Sequence, residues 1–352
     1  MSVCLGGFLA GSIVSGRAVE RFGTRRTIVA ALILCGVATV CLPLGSSYAV
    51  FLVCRVAVGI AGGLVYAPGL TFTLSLLPPR LANVGVGVFL SGLSLGSTVA
   101  FFATPLLEDA LGWRSPFWVF GPAILVGAGV VWWLVGALAT ERANGLRPEG
   151  VLRELLGNRS LLVTCAAIFV SLFVTYGVFT WIPPYLDEDA NFSKAQISLT
   201  AMLMTLVGIP ATLVAGWLAD RTRRPLLVAG IALLLPVSLV LLAMTTEISH
   251  VTATVVASIS AFGVTGGLIP LYALPPTLTR TGVAASASGL AAALGMAGGI
   301  ASTYLGGYLV GAAGTYGAAF TVYTITAAAT AFVLLPLLAL DLRAVRQTAP
   351  PA

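Results

Sequence analysis

Gly16 to Arg26 reads GRAVERFGTRR, and Gly216 to Pro225 reads GWLADRTRRP. Each stretch directly follows one long apolar run and precedes another. Gly16 and Gly216, Glu20 and Asp220, and Arg21 and Arg221 all differ by 200 in number. Two further landmarks repeat: Leu77-Pro78-Pro79 returns as Leu274-Pro275-Pro276, and Gly112 to Phe117 has a looser echo in Gly314 to Phe320. A short polar hinge that recurs at one offset between apolar segments describes a duplicated bundle of membrane-spanning helices.

Composition requires the same solvent. Of the 352 residues, 58% are hydrophobic and 9% charged, with a mean hydropathy of +1.03. Soluble domains run near 45–50% apolar and about 25% charged. Lipid must therefore solvate this chain, and in lipid every backbone polar group must pair internally. The apolar runs are continuous over about 20 residues rather than alternating over about ten, which predicts helices and excludes a barrel. Eleven spans are expected: 2–19, 27–45, 49–74, 84–106, 116–138, 161–182, 196–217, 226–246, 251–273, 283–309 and 318–340. The five cysteines lie in or beside these runs without a CxxC pair, so they read as small packing residues. No metal or cofactor site is expected. The net charge of +6 is no nucleic-acid signal, because it comes from where the arginines sit.

Loops at 17–26, 80, 141–159, 219–224 and 280, with the tail at 341–346, carry fifteen arginines and six acids. The opposite loops carry two bases and six acids. The positive-inside rule places the arginine-rich loops and the C-terminus in the cytoplasm. The hinge glycine of the second half lies about 56 residues after that half begins, whereas in the first half it is already residue 16. The difference of roughly 40 residues has room for one spanning helix. Two readings follow: a fragment or misplaced start that omits the first helix, and a true eleven-span chain.

The hinge resembles the signature of the major facilitator superfamily, Gly-x-x-x-Asp-Arg-x-Gly-x-Arg-Arg. Gly16, Glu20, Arg21, Gly23, Arg25 and Arg26 match, with Glu20 in place of Asp. Gly216, Asp220, Arg221, Arg223 and Arg224 match in the second copy, but Arg223 stands where the family has its second glycine. The resemblance implies an all-α polytopic membrane protein of two repeated helical halves. The chain would hold helices two to six in 1–139, a cytoplasmic connection at 140–160 and helices seven to twelve in 161–352. It also implies that the hinge residues gate the cytoplasmic side. Physically, Gly16 lets two helices approach closely. Glu20 and Asp220 can pair with arginines or face the positive N-terminus of another helix. A fixed topology anchor is the bland alternative.

Arg55 is the one formal charge inside a span, and an intramembrane arginine is costly and usually functional. Arg55 and Gly59 resemble the family's fourth-helix motif Arg-x-x-x-Gly, whose arginine is associated with proton movement in drug–proton antiporters. Arg55 lies about 9 Å into its span at 1.5 Å per residue, so it can face a cavity or snorkel outward. No Asp, Glu or His is expected mid-span, and His250 reads as a surface residue of an outer loop. Tyr66, Tyr176, Tyr272 and Tyr304 place hydroxyls in apolar walls and are candidate substrate contacts. Glycine pairs at 7 and 11, 59 and 63, 92 and 96, and 295 and 299 predict close helix crossings. Pro68, Pro210, Pro236 and Pro270 predict bends. Gly92-Leu-Ser94-Leu-Gly96 matches a hydrolase elbow, but it lies in an apolar helix without a histidine base, so catalysis is not expected.

The expected function is secondary transport of a small solute, an anion by the evidence of Arg55, through alternating access in the plasma (inner) membrane. The expected partners are that solute, protons as a coupling ion and the lipid bilayer, with the chain acting as a monomer. The runner-up is a proton-coupled drug or metabolite exporter. A non-transporting receptor or scaffold is the alternative of a different class.

Overall fold

The computed structural model describes residues 2–45, 47–138, 151–239, 249–280 and 283–347. Among them every regular element is helical. In chain order these are α1 (Ser2–Phe22), α2 (Thr24–Cys41), α3 (Tyr48–Ser75), α4 (Ala82–Leu111), α5 (Ser115–Leu138), α6 (Val151–Gly157) and α7 (Arg159–Glu188). They continue as α8 (Lys194–Leu206), α9 (Gly208–Thr222), α10 (Pro225–Ala232), α11 (His250–Thr277), α12 (Ala284–Ala313) and α13 (Gly317–Gln347). Among the described residues, eight segments are long and apolar enough to cross a membrane. Shorter apolar helices, Val3–Val19, Pro225–Leu239 and Gly317–Phe332, stand at the other three expected spans. Most of the expected connection at 140–160 and the end of the 226–246 span lie outside the described residues.

Local chemistry sets the helix ends. Ser193 accepts from the Gln196 amide while the Gln196 side chain accepts from the Ser193 amide, a capping box that starts α8. Ser47 caps α3 by accepting from Val50. The expected bends at Pro210 and Pro236 fall at breaks: α8 gives way to α9 at Val207, and α10 passes into a 3₁₀ turn at Leu235–Leu239. Proline lacks the N–H that would continue the ladder. Pro68 and Pro270 stay within α3 and α11.

The chain divides into two compact units. The first comprises Met1–Leu76, Ala100–Phe169 and Leu274–Ile300. Within it α1 crosses α3 closely. A Cβ on Gly7, Gly11, Gly59 or Gly63 would stand 2.1–2.5 Å from a backbone oxygen of the opposing helix. Such glycines let dispersion contacts form between backbones, where lipid supplies no hydrophobic drive. In the same unit the Arg114 Nε donates to the Pro43 carbonyl at 3.2 Å.

The second unit comprises Leu77–Val99, Val170–Ala273 and Ala301–Ala352. Its core joins α7, α11 and α13 through Val174, Ile182, Leu186, Ala257, Val264, Phe320 and Tyr323, all buried. The phenol of Tyr323 is enclosed by two glycines. A Cβ on Gly177 would meet its ring at 2.5 Å, and one on Gly306 its hydroxyl at 2.4 Å. The hydroxyl donates to the Ser302 carbonyl at 3.0 Å. Among the described residues the expected crossing at Gly92 and Gly96 is absent, since a Cβ on either would have nothing within 4 Å. Gly87 and Ser94 supply the contact face of α4 instead; Gly92 and Gly96 lie about 140° and 180° around the helix from Gly87 at 100° per residue.

Candidate functional site

The second hinge copy closes onto the start of α4, within the second unit. Asp220, near the end of α9, accepts three hydrogen bonds there. Its Oδ1 takes the Asn83 backbone N–H at 3.2 Å and the Asn83 Nδ2 at 2.7 Å, and its Oδ2 takes the Val84 N–H at 2.8 Å. First-turn amides have no intrahelical acceptor, and a carboxylate also gains from the positive end of the helix dipole. Of the two partners expected for this acid, the structure therefore shows the helix N-terminus. One turn back, Gly216 lets the Asn83 carbonyl approach, since a Cβ would stand 2.6 Å from it. Small residues carry the contact onward. A Cβ on Gly87 would meet the Thr212 carbonyl at 2.6 Å, one on Gly208 would meet Ser94 at 2.6 Å, and the Thr98 hydroxyl donates to Thr205 at 3.0 Å.

The first copy makes an equivalent crossing inside the first unit, between α1 and α12. A Cβ on Gly16 would meet the Ser286 Oγ at 2.9 Å, and one on Gly289 would meet the Ser12 carbonyl at 2.7 Å. Residues 12 and 16 thus do in one unit what 212 and 216 do in the other. Glu20 lies on α1, and its side chain is outside those described.

The hinge turns differ in a way that explains the lost glycine. Gly23 has φ 80 and ψ 159, a region open essentially to glycine alone. Arg223, its counterpart, has φ 53 and ψ 30, the left-handed helical well that other residues enter at a cost of about 1 kcal/mol. The motif arginines divide their contacts. Arg25 stacks 3.7 Å from the Trp132 ring centroid, and its Nε donates to the Trp132 carbonyl at 2.9 Å. Arg21 and Arg221 lie over Phe22 and Trp217, at 5.4 and 5.1 Å. Arg26, Arg223 and Arg224 are exposed.

Among the described residues, one ion pair forms. Arg280 donates through Nε at 2.8 Å and through Nη2 to Glu154 of α6. The Arg280 guanidinium holds the Glu154 carboxyl below its ordinary range, and the carboxylate raises Arg280 in return. Asn158 adds a bond from Nδ2 to the Leu278 carbonyl at 2.7 Å. On the loops expected outside, the Tyr316 hydroxyl donates to Glu188 at 2.7 Å. Burial, then the neighbouring carboxylate, pushes that phenol well above its usual value.

The candidate solute contacts are spread over both units. In the first, Arg55 is half-buried on α3 with its guanidinium 5.1 Å from the Phe51 ring one turn earlier, so it leans toward the start of the helix. Tyr66, three turns on, meets the edge of Phe8 at 5.8 Å. In the second, Tyr176 is half-buried on α7, Tyr272 is 2% exposed on α11 and Tyr304 is 78% exposed on α12. Sequence reasoning missed Asn83, Ser286 and Tyr323. For Ser286 there was a usable signal: Ser12 and Gly16 correspond to Thr212 and Gly216, so a partner of one pair implied a partner of the other.

The sequence model of the Major Facilitator Superfamily matches residues 1–303, and the chain belongs to that family. It is therefore a member of a family of membrane transporters, a secondary transporter by class. Among curated relatives, it is 25% identical over 309 residues to the 3-(3-hydroxy-phenyl)propionate transporter of Escherichia coli K12, covering 86% of this chain and 75% of that one. It is 24% identical over 272 residues to the purine ribonucleoside efflux pump NepI of Shigella sonnei, covering 77% and 67%. Among solved structures, the E. coli fucose:proton symporter FucP shares the fold with a TM-score of 0.77 at 15% identity, over 96% of this chain and 90% of that one. The human organic anion transporter MFSD10 does so with 0.76 at 19% identity, over 94% and 82%.

Proposed function

We propose that this transporter moves a small organic anion by alternating access, with repeats 1–139 and 161–352 as the rocking halves joined by the 140–160 connection. The reading places it in the plasma (inner) membrane with a cytoplasmic C-terminus and no catalytic activity. The observation that carries it is the pair of equivalent crossings, Gly16 against Ser286 and Gly216 against Asn83, each joining a hinge helix of one repeat to a helix of the other. Contacts of this kind form at one end of a two-repeat bundle and can separate without unfolding either repeat. Asp220 supplies a lock whose bonds re-form intact after each opening. In this reading Glu20, Gly23, Arg21, Arg25, Arg26, Arg221, Arg223 and Arg224 are hinge residues of the same gate. Arg55 and Tyr66 are the candidate solute contacts of the first unit, and Tyr176, Tyr272 and Tyr304 those of the second.

Support for an anion comes from Arg55 and from one relative and one structural neighbour whose names specify organic anions. The relative named as a nucleoside efflux pump keeps proton-coupled export as the second reading. Uptake and efflux of a 3-(hydroxyphenyl)propionate and of a purine ribonucleoside, measured in vesicles carrying the full-length protein, separate the two. Arg55→Ala is expected to abolish movement of the acid with membrane insertion intact. Unchanged transport removes Arg55 from the mechanism. Collapsing the pH gradient stops a proton-driven exporter and leaves an uncoupled carrier indifferent.

A further inference from the structure

Within the first unit, α6 and the residue that follows it hold the turn between α11 and α12. Glu154 and Asn158 are four positions apart, and both reach that turn. The Asn158 side chain serves two helices at once. Its Oδ1 accepts the Leu161 N–H at 3.0 Å, the N-cap bond of α7, and its Nδ2 donates to the Leu278 carbonyl at 2.7 Å, just past the end of α11. A backbone N–H on one side and a carbonyl on the other fix which end of the amide is oxygen and which is nitrogen. Two helix termini, each with backbone groups that its own ladder cannot satisfy, thus share one amide. Glu154 adds the ion pair to the Arg280 guanidinium, and its Oε1 accepts the Arg280 backbone N–H at 3.4 Å. Leu155, between the two, is buried.

The helix α6 has seven residues. A helix that short does not stand on its own in water, so these contacts keep it formed and make it one body with the turn. The turn leads straight into the hinge crossing. The Arg280 carbonyl accepts the Val283 N–H at 2.8 Å, and the Val283 carbonyl accepts the Ala287 N–H at 2.9 Å, the first rung of α12. Val283 is fully buried. On that same first turn Ser286 meets Gly16, and Gly289 meets the Ser12 carbonyl. Ser12 and Ser15, on the α1 side of the crossing, are each 1% exposed. Where α12 begins therefore decides whether water reaches the crossing.

We propose that Glu154 and Asn158 are positioning residues of the hinge crossing: through Leu278, Arg280 and Val283 they set where α12 begins, and so hold Ser286 and Gly289 against α1. The inference rests on the reading of that crossing as a gate. It gives the connection between the repeats a task beyond joining them. The end of the connection carries the closed position of the gate, and a displacement of α6 reaches Ser286 through two side chains. Asn158 does this while also starting α7, so the same residue ties the first turn of α7 to the end of α11.

Ser286→Cys places a reporter in the crossing, and its rate of reaction with a water-soluble maleimide is read in the full-length protein in lipid nanodiscs. The chain with its five native cysteines alone is the blank. Asn158→Asp separates the two tasks of the amide. Aspartate caps α7 as well as asparagine does, but at neutral pH it has no hydrogen to give the Leu278 carbonyl. Labelling at 286 is expected to quicken about three- to tenfold. Glu154→Gln is expected to quicken it about two- to fivefold. Glu154→Arg alone, which sets like charges together, should be faster still, and Glu154→Arg with Arg280→Glu should bring the rate back toward that of Ser286→Cys alone. A residue that merely braced α6 would leave the reactivity of 286 unmoved, so equal rates in Asn158→Asp and in the starting protein overturn the proposal. An exchanged pair that labels as fast as Glu154→Arg overturns the part given to Glu154. The assay uses no solute, so a failed transport measurement leaves it standing, and equal labelling leaves the Asp220 contact of the other crossing untouched.

Discussion

Replacing Asp220 by alanine gives a quantity that can be worked from the geometry. Three donors lose their acceptor: the Asn83 and Val84 backbone N–H groups and the Asn83 side-chain amide. Truncating an Asp that caps a helix costs about 0.5–2 kcal/mol, and the lost charge at the dipole adds about 0.3–1 kcal/mol. Asp220 is half-exposed, so solvent screening favours the lower half of the sum, about 1–2 kcal/mol. At 1.4 kcal/mol per factor of ten, that is roughly a 5- to 30-fold shift in the opening equilibrium of the contact. Hydrogen exchange of a peptide spanning residues 82–86 reads it, because the first-turn amides owe their protection to Asp220 rather than to the helix ladder. Exchange at Asn83 and Val84 should accelerate by that factor in Asp220→Ala. Asp220→Asn keeps one acceptor and should show a smaller effect. If both amides exchange at the wild-type rate in Asp220→Ala, Asp220 does not hold α4 in solution and the lock reading fails.

The glycine crossings predict an asymmetry. Gly11→Ala would put a Cβ 2.2 Å from the Ile60 carbonyl, where backbone must shift at a cost of about 1–3 kcal/mol. Gly92→Ala meets open space and should leave the melting temperature in detergent unchanged or higher; equal losses in both variants would refute the crossing. Gly23→Arg should destabilise by about 1–3 kcal/mol because its ψ of 159 excludes other side chains, whereas Arg223→Gly should change stability by under about 1 kcal/mol. Glu154 has a folded-state pKa lowered by Arg280 from 4.5. Its contribution is therefore present above pH 4.5 and is lost as pH falls through the lower folded value. Exchange at 151–157 should rise on acidification over that window in the wild type. Glu154→Gln should exchange faster at neutral pH and show no such transition.

How far the sequence carries can be judged residue by residue. The helices were legible because lipid demands about 20 apolar residues per crossing, and every charge in so apolar a chain except Arg55 falls at or between the ends of the apolar runs. Gly7, Gly11, Gly59 and Gly63 were legible as a crossing, yet Gly92 and Gly96 carry the same spacing and cross nothing. Spacing states that two small residues share a helix face; it does not state which face meets a neighbour, and on α4 that face is set by Asn83, Gly87, Ser94 and Thr98. Asp220 was legible as a contact-maker, but a carboxylate at a membrane edge has arginines and helix ends equally within reach, and only the path of α4 decides between them. His250 misled for a related reason. A histidine between acidic loops looks solvated, but α11 begins on that residue and turns its ring onto Thr200, 50 positions away in the chain. Arg223 runs the other way: it stands where the motif has a glycine, and the backbone shows a turn that no longer requires one. The two hinge copies have thus diverged in the shape of the loop while keeping the crossing beneath it. That is the pattern expected if the close approach at Gly16 and Gly216, rather than the turn above it, is what the gate depends on.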